Sequence, residues 1–245
     1  MSDQASTIMV NTLEPQSGTT LTVGKSGQNL QVNADSLKAN VAKDAGGNAV
    51  FTSDGSGNLT VNSAFGGAMN LLTTNTFTDQ ASSSFTTLID STYDVYIFKF
   101  NAINPATDLQ HFRFNVSSDG GSNYNVTKTT TYFRAYHDEA DTASSLAYVT
   151  SHDLAQSTGY QLIAQDVGSG SDECAVGELW LFNPSSTTYV KNFYNTSKVY
   201  NGYDYSYNEY AAGYMNTTSA INAINFKMDS GNMDGEIKMY GISKS

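Results

Sequence analysis

Beyond residue 90 the chain is a succession of short apolar alternations, and this pattern narrows the possible folds more than any other feature. YDVYIFKF (93–100), HFRFNV (111–116), TTTYFRAY (129–136), LAYVT (146–150), GELWLFN (177–183), TYVKNFY (188–194) and NAINFKM (222–228) place apolar side chains at alternate residues or in short unbroken runs. Between them lie NPATD, SSDGGSN, HDEAD, GSGSDE and NPSS, all turn chemistry. FKMDSGNMDGEIKMYGISKS, at 226–245, reads as a further hairpin that sets Phe226 and Met228 beside Ile237 and Met239. Roughly eight to ten strands, with no helical pattern of about 10–15 residues between them, predict an all-β chain built on an antiparallel β-sandwich of jelly-roll type.

Composition points the same way. Only 14% of residues are charged, and Ser, Thr, Asn and Gly supply most of the polar surface, whereas β-branched and aromatic residues suit a pleated, half-buried surface. Twenty-three acidic against twelve basic residues give a net charge of -11, which would repel a phosphate backbone and argues against a nucleic-acid partner. MSDQASTIMV has neither a basic n-region nor an apolar h-region, and no run approaches the roughly 18 apolar residues of a membrane span. Synthesis in a cytosol, with no membrane partner, is the expectation. A single cysteine, Cys174, cannot form an internal disulfide, so packing or oligomerisation must provide stability.

The aromatics divide the chain. Residues 1–75 contain only Phe51 and Phe65 but nine of the twenty glycines, while all sixteen tyrosines and the single Trp180 lie beyond residue 90. Two regions are therefore expected: 1–75, an extended attachment and trimerisation region, and 76–245, the sandwich. In the first, TLTVG (20–24), NLQVN (29–33) and NLTVN (58–62) read as very short strands. SLKANVAKDAGG (36–47) reads as a helical turn or two, and AVFTSDGSGNLTV (49–61) as a hairpin. Strands with two apolar residues cannot hold a core alone, because ordering a residue costs about 1–2 kcal/mol and burying one apolar side chain returns about as much. Ile8, Val10, Leu21, Val23, Leu30, Val32, Leu59 and Val61 are thus the candidates for packing against other chains.

Residues that could carry chemistry do not converge in the sequence. Ser151, His152 and Asp153 are adjacent, and strand neighbours point to opposite faces, so they read as a polar loop. YHDEAD (136–141) gathers His137, Asp138, Glu139 and Asp141 without the Asp-x-Asp-x-Asp-Gly spacing of a calcium loop. The three histidines and Cys174 have no zinc spacing, and no phosphate-binding glycine loop occurs. A non-enzymatic protein without cofactor or metal is predicted. VYNGYDYSYNEYAAGY (199–214) sets Tyr200, Tyr203, Tyr205, Tyr207 and Tyr210 among Asn and Gly, with Tyr214 closing the run. Such rings either pack between subunits or stack on sugars.

The second region resembles a domain recurrent in virion proteins of tailed bacteriophages, particularly marine and cyanobacterial ones. The similarity lies in IDSTYDVYIFKFNAINPATD (89–108), SDGGSNYNVTKTT (118–130), ELWLFNPSSTTYVKNFY (178–194), AGYMNTTSAINAINFKM (212–228) and GEIKMYGI (235–242). The first region is similar in style to the Gly/Thr-rich leaders of phage fibres and decoration proteins. The resemblance implies a homotrimeric virion structural protein with no catalytic residues. Its leader would attach to the major capsid protein or another virion protein, with the sandwich on the particle surface. Decoration, or cementing, of the capsid is the primary expectation. A tail-fibre or head-fibre component binding a host surface glycan is the alternative, and a soluble carbohydrate-binding module or glycan-cleaving enzyme the third.

Overall fold

The computed structural model describes residues 41–43, 48–61 and 68–243. The chain divides into two units, the first ending at Asn62 and the second beginning at Ser63.

In the first unit β1 (Val41–Lys43), β2 (Ala49–Ser53) and β3 (Leu59–Val61) form an antiparallel sheet in that order. β2 and β3 are the hairpin expected over 49–61, with Phe51 opposite Val61 and Ser53 opposite Leu59. The Asp54 carboxylate accepts from the backbone N–H of Ser56 (2.7 Å) and the side chain of Asn58 (2.6 Å), while Gly55 and Gly57 take positive φ. Val41–Lys43 is not the helical turn read from 36–47. Its pairing with β2, Val41 opposite Thr52, makes it a strand. Ile8, Val10, Leu21, Val23, Leu30 and Val32 lie outside the described residues, and Leu59 and Val61 sit on β3.

The second unit starts before residue 76, because β4 (Met69–Gln80) runs straight through that position. It continues with β5 (Ser83–Phe85), β6 (Val95–Pro105), β7 (Gln110–Ser117), β8 (Lys128–Asp138), β9 (Ser144–Tyr148) and β10 (Gln161–Val167). β11 (Cys174–Phe182), β12 (Lys191–Tyr200), β13 (Tyr205–Met215), β14 (Ala223–Met228) and β15 (Met233–Ile242) complete it. All its pairings are antiparallel. A four-stranded sheet runs β10-β7-β14-β5, and an eight-stranded sheet runs β4-β15-β6-β11-β12-β13-β8-β9.

The two sheets pack face to face as in a β-sandwich. Phe98 and Phe100 of β6 meet Phe226 and Phe112 of the small sheet at ring-centroid distances of 5.6 and 5.4 Å, and Phe114 meets Phe193 of β12 at 4.9 Å. Leu179, Leu181, Val199, Ile237 and Met239 fill the layer from the large sheet, and Val116, Ile163, Val167 and Ile224 from the small one. The hairpin expected over 226–245 is instead an arch between the sheets. β14 pairs with β7 and β5, and β15 with β4 and β6, so Phe226 and Ile237 share one core from opposite layers.

On the β10 side the core turns polar, for a reason in the topology. β10 is an edge of the small sheet, and among the described residues its outer side meets no strand, only a single bridge from Val167 to Asn201. Side chains of the large sheet take that place: Glu209 accepts from the Gln165 N–H at 3.0 Å, and Asn195 donates to the Ile163 carbonyl at 3.1 Å. Thr130 donates to Gln161 at 2.6 Å, and the buried Lys128 ammonium donates to Asn115 at 2.7 Å and to the Gly159 carbonyl at 2.8 Å. Arg134 bonds Gln165 and lies over the Tyr207 ring, 4.6 Å from its centroid.

Candidate binding surface

Strand alternation sorts the five candidate tyrosines onto different surfaces. On β13 the odd residues face the core, and Tyr207 is 6% exposed there. Tyr203, Tyr205 and Tyr207 line one recess of about 340 Å³ with Arg134 and Tyr136. Tyr210 lies on the opposite face, stacked on Phe133 at 4.7 Å and 11°. Tyr200, at the end of β12, donates to Asp204 at 3.3 Å. The five therefore do not form one platform. Tyr203, 56% exposed, is expected to tolerate alanine within about 0.5 kcal/mol, whereas Tyr207→Ala should cost about 3 kcal/mol through its cavity and the lost ring under Arg134. Thermal melts of the two variants check this ordering.

The residues with chemical potential in the sequence are likewise dispersed. Asp153 accepts from the Tyr148 hydroxyl at 2.5 Å, while the His152 ring packs edge-on against Tyr132 at 5.2 Å and His111 at 5.8 Å. Asp138 accepts from the backbone N–H groups of Thr142 and Ala143, both at 2.8 Å, and so closes the β8–β9 turn. The Thr142 hydroxyl, which also donates to it, and then these backbone bonds hold its carboxyl below the usual carboxylate range. Burial pushes the Cys174 thiol up, away from thiolate. Among the described residues no three His, Cys, Asp or Glu side chains gather to hold a metal ion.

A different set of residues forms a groove on the outer face of the large sheet. The register places Trp180, Tyr194, Ala212 and Thr131 in one row across β11, β12, β13 and β8. The Trp180 indole N–H donates to Glu178 at 2.8 Å, and Glu178 pairs with Lys99 at 3.1 Å, which fixes the indole. Tyr194 stacks on Trp180 at 5.6 Å and 17°, and Phe182 lies 5.7 Å from Tyr194. The next outward residue in the row is Ala212, whose methyl group leaves a slot where its neighbours carry large side chains. Thr129, Thr131, Asn192 and Tyr214 border this groove of about 480 Å³, and no lining side chain is charged.

The chain matches no family model, no curated protein and no solved structure.

The far bank of the groove is tied from behind. The Gln156 amide donates to the Thr129 hydroxyl at 2.7 Å and to the Tyr214 hydroxyl at 3.4 Å, and Asn216 donates to Gln156 at 2.6 Å. Gly213 keeps β13 close to β8, since a Cβ there would run into the Thr129 carbonyl and Thr130. Sequence reasoning missed this groove because its parts lie on four strands. The signal available was Ala212, a small residue within an outward run of Tyr210 and Tyr214.

Proposed function

We propose that the chain is a non-enzymatic structural protein of a tailed-phage particle, a homotrimer that decorates the capsid surface through its N-terminal unit and projects its sandwich outward. The fold favours the jelly-roll reading. Setting aside the hairpin β12–β13 and the edge pair β4–β15, the remaining orders are β5-β14-β7-β10 and β6-β11-β8-β9. The chain then passes between the two sheets in the sequence of a double Greek key.

The observation that carries the assembly reading is the β9 edge. All five residues of β9 are exposed, Leu146 at 72%, and Tyr148 and Phe133 lie exposed beside it. An open apolar edge strand is an association surface unless something covers it. A neighbouring copy is the cover proposed, in a closed ring of three. Sedimentation equilibrium of the full chain should give three chains per particle, and Leu146→Lys with Tyr148→Lys should give one. A wild-type monomer at micromolar concentration would overturn the trimer. Antibodies to the sandwich should label intact virions, and labelling only after particle disruption would overturn the surface position.

A further inference from the structure

We infer that the groove around Ala212 is a binding site for a neutral saccharide. The slot is one side chain wide, and one wall is a ring face: Tyr194 is stacked on Trp180 on one side and faces the space over Ala212 on the other. A pyranose presents a flat face of C–H groups to such a ring and hydroxyls around its edge. The edge here meets the Thr129, Thr131 and Tyr214 hydroxyls and the Asn192 amide, which has no protein partner among the described residues.

Charge selects the ligand class. The chain carries -11 overall, yet every side chain lining this groove is uncharged. The other recesses contrast with it: one on the same sheet holds Lys99, Glu178 and Lys198, and another holds Asp172, Glu173 and Asp234. A charged ligand would find no counter-charge around Ala212, whereas a neutral polyhydroxylated ring leaves no buried charge unpaired. The aromatic wall is also preorganised, because the Lys99–Glu178–Trp180 chain holds the indole against which Tyr194 packs. The groove is lined from β8, β11, β12 and β13 and takes no residue from β9, whose Leu146 and Tyr148 carry the assembly reading, so this inference and that reading can fail separately.

Trp180 is the only tryptophan, so its emission reports occupancy beside Tyr194. The full chain is titrated with maltohexaose, xylohexaose and mannohexaose as neutral probes and with polygalacturonic acid as an anionic one. A saturable change is expected with at least one neutral probe and none with the acid. Tyr194→Ala should weaken binding at least about tenfold, and Ala212→Leu, which fills the slot from an exposed position, should do the same while leaving the melting curve unchanged. The inference is overturned if no neutral probe gives a saturable change, or if the acid alone binds. Unchanged binding in Ala212→Leu also overturns it, as does an Ala212→Leu variant that alters the sedimentation state instead, which would make the slot a seat for another copy's side chain.

Discussion

Phe226→Ala is expected to cost about 3–5 kcal/mol and to lower the melting temperature of the sandwich by about 10 °C or more. Phe226 is fully buried on β14, in the middle of the small sheet. Its ring contacts Phe85 at 6.4 Å, Phe98 at 5.6 Å, Phe112 at 5.8 Å and Phe114 at 6.3 Å. Those neighbours come from both sheets, so the void cannot close by moving one strand. Phe226→Leu, which keeps most of the volume, should cost less than about 1.5 kcal/mol. Phe133→Ala removes a ring that is 41% exposed and should cost about 1 kcal/mol or less. Denaturant unfolding of the three variants tests the ranking, and a Phe226→Ala cost no larger than that of Phe133→Ala would refute the account of the core.

The second large effect is on the pH profile of stability. Burial pushes the Glu209 carboxyl up from 4.5 to about 8 and pulls the Lys128 ammonium down from 10.5 to about 7. Folded Glu209 holds its proton more tightly than unfolded Glu209. Its contribution is therefore complete below pH 4.5 and is lost as pH rises toward 8. Lys128 behaves in the opposite sense: its contribution is complete above pH 10.5 and is lost as pH falls toward 7. The two slopes cancel midway between the folded values, so the melting temperature should pass through a minimum near pH 7.5.

His111, whose half-buried ring is held below its ordinary 6.5 by desolvation, opposes Glu209 on the acid side, which leaves about pH 6.5–7.5 as the clear window for the carboxyl. Glu209→Gln retains an acceptor for the Gln165 N–H and removes the charge. It should abolish the fall in that window and raise stability at pH 8 by about 2–4 kcal/mol. Lys128→Met should abolish the alkaline rise. Thermal melts from pH 6 to 10 measure both slopes, and a wild-type profile that is flat across this range would refute the buried charges as its cause.

What the sequence made legible follows the chemistry of each strand's inner face. β7 was readable because Phe112, Phe114 and Val116 all point into the core. The segment 199–214, which reads as an Asn/Tyr-rich stretch, is the end of β12, a turn and β13. Its alternation is disguised because the inward positions of these two strands include Lys191, Asn195, Ser197 and Glu209, while rings occupy outward ones. A polar inner face at that point answers the open edge of β10, a long-range fact that no local window contains. β4 was missed for a related reason, since its Thr and Asn residues belong to an edge strand with half its surface wet. The arch at 229–232 reads as a hairpin in the sequence because two strands facing each other across a core show the same period of two as two strands side by side. The groove was illegible for a further reason: what defines it is the small size of Ala212 relative to neighbours brought alongside by register.

The placement of β15 also governs how such a chain can be made. Residues 233–242 lie between β4 and β6, joining segments that leave the ribosome far earlier. Until they are synthesised, Met69–Gln80 has no partner strand among the described residues, and the Phe98 and Phe100 side of β6 lacks Ile237 and Met239. The large sheet can therefore close only after residues 233–242 have been made, by long-range pairing that forms slowly. A nascent chain halted before residue 233 would present apolar, unpaired strands to chaperones and proteases, so quality control would recognise truncated copies.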